Sequence, residues 1–171
     1  VLASLMPVPV ADYLCDFLRE EEIKGGYETR SLRNAEIENF YTSVSRLLNA
    51  NPKEIAFVEN ATRAWDMVFY ALPLGPGDKI LTTVSEYGSN LIAYIHRAKQ
   101  TGAEVVIVPN DNTGQIDVNA LEQSIDKKTK LISISHIPTG GGLVNPAHDV
   151  GRIAKKYGIP FLLDACQSVG Q

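Results

Sequence analysis

The hydrophobic positions change period along the chain. Before residue 50 they recur every three or four residues: Val10, Leu14, Phe17 and Leu18, then Ile37, Phe40, Tyr41, Val44, Leu47 and Leu48. That spacing predicts two amphipathic helices, each with a buried stripe. Pro7 and Pro9 open the first, a favoured place for proline, and Gly25-Gly26-Tyr27-Glu28 breaks it as a loop. The second runs from Asn34 to about Asn49 and stops at Asn51-Pro52, because the residue before a proline avoids helical backbone.

After residue 50 the apolar residues gather into short runs of strand type: Ile55–Val58, Lys79–Thr83, Glu104–Val108, Leu131–Ser135 and Pro160–Leu163. Stretches of helical period separate them. One begins near Thr62, and one places Leu91, Ile92, Ile95 and Ala98 on its inner face. Others carry Val118, Leu121 and Ile125, then Val150, Ile153, Ala154 and Tyr157, the last closed by Gly158. Strand alternating with helix predicts an α/β fold of three layers, with a doubly wound, mostly parallel sheet. The expected division is a helical segment over residues 1–50 and an incomplete α/β domain over residues 51–171.

Composition narrows the classes. The 171 residues are 44% hydrophobic and 21% charged, a globular balance with enough chain for a sizeable core. A net charge of −4 gives no electrostatic drive toward nucleic acid or an anionic membrane. No apolar run reaches the roughly 20 residues that cross a bilayer, and no secretory leader is read at the start. Cys15 and Cys166 lack metal-ligand spacing, and no metal site is expected; free thiols fit a cytoplasmic location. The chain begins at Val1 and stops at Gln171, and both ends are expected to continue in a longer polypeptide.

Candidate chemistry collects at the predicted strand ends. Right-handed crossovers bring the C-terminal ends of parallel strands to one edge, where ligands of open α/β sheets sit. Pro160-Phe161-Leu162-Leu163-Asp164 delivers a carboxylate there, suited to a cationic or protonated partner, or else to local hydrogen bonding. In Glu59-Asn60-Ala61-Thr62 a helix starts, and its free N–H groups can receive an anion. The same residues can also do no more than cap the helix. Tyr87 offers a ring that stacks on a planar ligand or packs. Thr139 lies in the mobile-backbone loop Pro138-Thr139-Gly140-Gly141-Gly142. His136 is read as a buried, hydrogen-bonded structural histidine, with a proton-transfer role as the alternative. An anion cradle, an aromatic plate and a carboxylate suit pyridoxal 5′-phosphate. A nucleotide is the alternative, weakened because no Gly-x-Gly-x-x-Gly follows the first strand.

Four ordered segments then carry a resemblance: Glu59-Asn60-Ala61-Thr62, Ser85-Glu86-Tyr87-Gly88-Ser89-Asn90, Ser135-His136-Ile137-Pro138-Thr139 and Asp164-Ala165-Cys166-Gln167-Ser168. Together they resemble the class V aminotransferase family, which includes cysteine desulfurases, selenocysteine lyases and epimerase-like enzymes. The resemblance implies a fold type I, pyridoxal-phosphate-dependent transferase large domain, a homodimer and an amino-acid substrate. It places Ala61 and Thr62 at the cofactor phosphate, Asp164 at the ring nitrogen and Gln167 at the phenolic oxygen. Tyr87 falls where desulfurases commonly have a ring-stacking histidine, and Thr139 where they commonly have an asparagine. Cys166 is expected to be a packing residue. The implied activity is carbon–sulfur cleavage of the desulfurase kind, with transamination and epimerisation as alternatives. No catalytic residue is assigned: the family's Schiff-base lysine lies on a later segment, beyond Gln171. By that resemblance the 171 residues alone are inactive, a non-catalytic piece completed by a longer chain or by a complementary C-terminal chain.

Overall fold

The computed structural model describes residues 5–170 and divides the chain into two compact units, Val1–Phe57 and Val58–Gln171. The first unit is helical. α1 spans Val8–Lys24 and α3 spans Asn34–Leu48, each within a residue or two of the pattern that predicts it. Pro7 precedes α1 and Pro9 lies in its first turn, and Asn49 closes α3 in a left-handed conformation. Asn51 and Glu54 form a reciprocal capping box over the short 3₁₀ turn Pro52–Glu54.

Two expectations fail in this unit. The Gly25-Gly26 segment is not a loop: only Gly25 leaves the helical conformation (φ 94°), and α2 starts at once over Gly26–Leu32. Gly25 supplies the carbonyl that Thr29 N–H reaches at 3.0 Å, so one residue of unusual backbone suffices to reset the helix axis. The apolar stripes are also not buried. Leu14, Leu18, Leu47 and Leu48 stay exposed. What holds its helices is partly polar. Glu20 accepts from Lys24 and Arg33 at 2.6 Å each, and Arg33 lies over the rings of Tyr13 and Phe17.

Ile55–Val58 forms no strand. Ile55 has extended dihedrals (φ −99°, ψ 129°), but no described strand pairs with the segment. Extended backbone without a ladder partner is coil.

The second unit holds a four-stranded sheet of order β2-β1-β3-β4, with β1 Lys79–Thr82, β2 Glu104–Ile107, β3 Thr129–Ser135 and β4 Phe161–Asp164. All three pairings are parallel. β4 is an edge strand, and its four residues are half-buried rather than the fully buried run expected. α4 (Ala61–Ala71) and α5 (Gly88–Thr101) pack on one face, where Trp65, Phe69, Ala93 and Tyr94 meet Ile80 and Leu131. α6 (Val118–Ser124) and α7 (Ala147–Tyr157) cover the other through Leu121, Val150 and Ile153 against Leu81, Ile132 and Ile134. The three-layer α/β arrangement is therefore the predicted one.

The inner face of α5 is not. Asn90, Ala93 and Tyr94 are buried, whereas Leu91, Ile92 and Ile95 are 41%, 69% and 46% exposed. The polar tips of Asn90 and Tyr94 find partners on the sheet, so burying them costs little. The apolar residues point away.

Candidate functional site

Period-two alternation grades the α4/α5 face of the sheet from apolar to polar. Along β3, Leu131 gives way to Ser133 and then Ser135; along β4, Leu162 gives way to Asp164. Leu162 is in register with Ser133, and Asp164 with Ser135. The C-terminal rim of this face is therefore hydroxyl- and carboxylate-rich, while the opposite rim is apolar.

Asp164 sits at this rim, half-buried. Its Oδ2 accepts from Asn90 Nδ2 at 2.9 Å, and its Oδ1 from the Cys166 backbone N–H at 3.1 Å. Its carbonyl oxygen accepts the His136 N–H at 2.9 Å. Gln167 follows in the turn after β4 and is half-buried. Cys166 is exposed, which corrects the packing role expected of it.

Ala61 and Thr62 open α4. α4 precedes β1 and packs on the sheet through Trp65 and Phe69, an order that runs its N-terminus toward the C-terminal ends of the strands. Asn60 caps the helix: its Oδ1 accepts from Arg63 N–H at 2.8 Å, and its carbonyl from Ala64 N–H at 3.1 Å. Among the described residues nothing accepts from the N–H groups of Ala61 and Thr62. Both readings of the segment are thus compatible, since the cap uses one donor and leaves two outward. One turn on, Trp65 packs edge-on against Tyr94 at 5.4 Å between centroids.

Tyr87 precedes the first turn of α5 and is 48% exposed. It lines a pocket of about 400 Å³ with Ser85, Glu86, Pro138, Thr139 and Leu143. Tyr87 and Thr139 therefore share one cavity. Asp164, Thr62 and Gln167 do not line it; Asp164 is joined to it through Asn90, on the same turn of α5 as Gly88. A larger groove of about 610 Å³ opens at the other rim beside Lys127, Lys130 and Pro160. It is remote from every one of these groups, and size alone gives it no chemistry.

Sequence reasoning missed Glu86. Its Oε1 accepts from Thr83 Oγ1 at 2.6 Å and from Ser135 N–H at 2.9 Å, and its Oε2 from Ser135 Oγ at 3.1 Å. Burial pushes its pKa above the ordinary carboxylate range, with a smaller push from the charge of Asp164; the three donors oppose this without cancelling it. Burial likewise pushes the Tyr94 phenol up, helped by the charge of Glu86. Asn145, also missed, donates to the Ser135 carbonyl at 2.8 Å and accepts from Ile116 N–H, tying the loop after β3. His136 Nδ1 lies 2.9 Å from Ser168 Oγ, the hydrogen bond read for it, but the residue is half-buried rather than buried. One signal could have revealed Asn90: it stands four residues before Tyr94, in phase with a buried helix face, where a polar residue needs a partner.

Chemically, the rim offers two outward N–H groups with a hydroxyl, an exposed aromatic ring and a carboxylate fixed by two donors. Known proteins share the sequence pattern and the fold that carry it. The chain is similar to a probable cysteine desulfurase of Synechocystis sp., 37% identical over 129 residues, which covers 73% of this chain and 31% of that one. A probable cysteine desulfurase of Pyrococcus abyssi is 30% identical over 98% of this chain and 43% of its own length. The chain thus spans well under half the length of these curated relatives. The apo structure of cysteine desulfurase from Thermococcus onnurineus superposes with a TM-score of 0.86 at 28% identity, over 99% of this chain and 43% of that chain. A structure of C-DES with glycine covalently linked to its PLP cofactor has the same TM-score at 20% identity, a likeness of fold. The aminotransferase class-V family model matches residues 3–171, and this chain belongs to that family.

Proposed function

We propose that the chain is the cofactor-binding part of a pyridoxal-phosphate-dependent enzyme acting on an amino acid, with carbon–sulfur cleavage of the desulfurase kind as its reaction. The observation that carries this reading is the Asp164 carboxylate, fixed by Asn90 and the Cys166 N–H at the C-terminal end of β4. The names of its relatives support the choice of reaction.

The donor set fits the group. Ala61 and Thr62 would take the phosphate with two backbone N–H groups and a hydroxyl, aided by the helix dipole. Asp164 would hold the proton on the pyridine nitrogen, an anion facing a cation. Tyr87 would lie against the ring, Gln167 would donate to the phenolic oxygen, and Thr139 would close the side shared with Tyr87. When bound, the cofactor supplies an electron sink for charge leaving the substrate α-carbon. Glu86 and Asn145 act from behind, holding Ser135 and the connection that bears Thr139.

The same reading takes residues 51–171 as part of the large domain, residues 1–50 as a helical segment ahead of it, and the whole protein as a cytoplasmic homodimer. Exposed Leu91, Ile92, Ile95, Met67 and Val68 on α5 and α4 give apolar surface for a second copy, and two free cysteines suit a reducing compartment.

The test uses the full-length protein with cofactor and cysteine as substrate. Asp164→Asn is expected to retain cofactor but lose about a hundredfold or more in sulfide release, the scale for removing one electrostatic stabiliser. Thr62→Ala is expected to weaken cofactor binding. A wild-type protein that binds no cofactor, or an Asp164→Asn variant with undiminished turnover, overturns the reading.

A further inference from the structure

Asn90 is 2% exposed on the face of α5 that meets the sheet. Burying an amide there is unfavourable unless its polar atoms are paired, and its Nδ2 is paired with Asp164 Oδ2 at 2.9 Å. The second carboxylate oxygen is taken by the Cys166 N–H at 3.1 Å. Donors on both oxygens fix the rotation of the carboxylate. They also leave lone pairs for a further donor, since a carboxylate can accept about four hydrogen bonds.

Asp164 is half-buried. Glu86, on the connection from β1 to α5, is near enough for the charge of Asp164 to add to the rise in its pKa. The other titratable groups beside Asp164 among the described residues are Tyr94, whose phenol feels the charge of Asp164, His136, whose backbone N–H holds the Asp164 carbonyl, and Cys166 in the following turn. A neutral amide donor orients the carboxylate without adding charge of its own. Anchoring α5 does not require Asn90, because the Tyr94 hydroxyl already ties the helix to Ser133 one turn further along.

We propose that Asn90 is the positioning residue for Asp164: it holds that carboxylate aimed, so that the pyridine nitrogen of the cofactor meets an acceptor of fixed direction. The proposal rests on the cofactor reading above. Asn90 acts through Asp164 and does not touch the reacting atoms.

The experiment follows the ring-nitrogen resonance of ¹⁵N-pyridine-labelled cofactor against pH in the full-length holoprotein. Asn90→Leu removes the donor with an apolar side chain of similar size, suited to a buried helix face; Asn90→Ala removes it with a smaller one; Asn90→Gln keeps the amide. Wild type is expected to hold the ring proton across the neutral range. Both donor-free variants are expected to release it at lower pH, by roughly one pH unit, and to bind the cofactor about tenfold more weakly, the scale of one hydrogen bond to a charged group. Asn90→Gln is expected to recover part of both. A donor-free variant whose melting temperature falls while its ring-nitrogen titration stays at the wild-type position overturns the proposal, since Asn90 is then only a packing contact. A wild-type protein that takes up no labelled cofactor overturns the underlying reading, and the proposal with it.

Discussion

Tyr94 of α5 donates its hydroxyl to Ser133 Oγ of β3 at 2.8 Å, and both residues are buried. Around this bond Trp65 and Phe69 pack on Tyr94, and below it, toward the N-terminal rim, stand Ile80 and Leu131. Above it stand Asn90, Ser135 and Asp164. The bond marks where core gives way to site, and it fixes how far α5 carries Asn90 along the sheet.

Removing that hydroxyl leaves Ser133 Oγ buried without its donor. Tyr94→Phe is expected to destabilise the protein by about 1–3 kcal/mol, the cost of an unsatisfied buried polar group. Ser133→Ala in the same background is expected to recover part of the loss, because both polar atoms are then gone. A urea-denaturation double-mutant cycle measures this; strictly additive losses would show that the two groups are not coupled.

Glu86 gives a pH dependence whose sign follows from its environment. Its folded pKa is raised above the ordinary 4.5, so between the two values the folded state binds more protons than the unfolded one. Stability attributable to this group therefore falls as pH rises through that window. The penalty of the buried charge is fully present above it. Glu86→Gln keeps an acceptor for Thr83 and the Ser135 N–H but carries no charge. Its thermal stability is expected to lack this decline on the weakly acidic side, and an unchanged slope would count against the assignment.

The start of α4 separates capping from anion binding. Asn60→Ala removes the acceptor for Arg63 N–H and is expected to cost about 1 kcal/mol of stability, with the Ala61 and Thr62 N–H groups unaltered. Thr62→Ala keeps the cap and is expected to leave stability nearly unchanged while weakening cofactor retention in the full-length protein. Chemical denaturation and dialysis against buffer of known cofactor content measure the two. A loss of stability from Thr62→Ala that matches Asn60→Ala would make Thr62 part of the cap.

Much of this was legible because α/β folds write their layers into the periodicity. β1, β3 and α7 follow from runs of Ile, Leu and Val at the right spacing, and the strand ends then predict a common rim. What periodicity misreads is any face paired by polar atoms. Leu91, Ile92 and Ile95 look like the core of α5, but Asn90 and Tyr94 outcompete them because Asp164 and Ser133, distant in sequence, accept their protons. The Ile55–Val58 error has the same origin: strand propensity is local, while a ladder needs a partner strand. Glu86 escaped notice because its significance lies in Ser135, forty-nine positions on, and no window of sequence contains both.

Gly102 and Gly158 end α5 and α7 in the left-handed region, at φ 75° and 66°, yet they should not be equally sensitive. A Cβ at Gly102 would stand 3.3 Å from Pro76 Cα, a backbone atom of the turn that leads into β1. That turn is itself tied back, since Gly77 N–H donates to the Gly102 carbonyl at 2.9 Å. A Cβ at Gly158 would meet nothing within 4 Å. Gly158→Ala is therefore expected to cost only the conformational penalty, about 1 kcal/mol. Gly102→Ala is expected to cost more, by about another 1 kcal/mol, because the contact must be relieved by moving backbone. The order can be read from midpoints in urea at matched slopes. Equal losses would mean that the turn at Pro76 yields freely, and that its hydrogen bond to Gly102 contributes little to the register of β1 with β2.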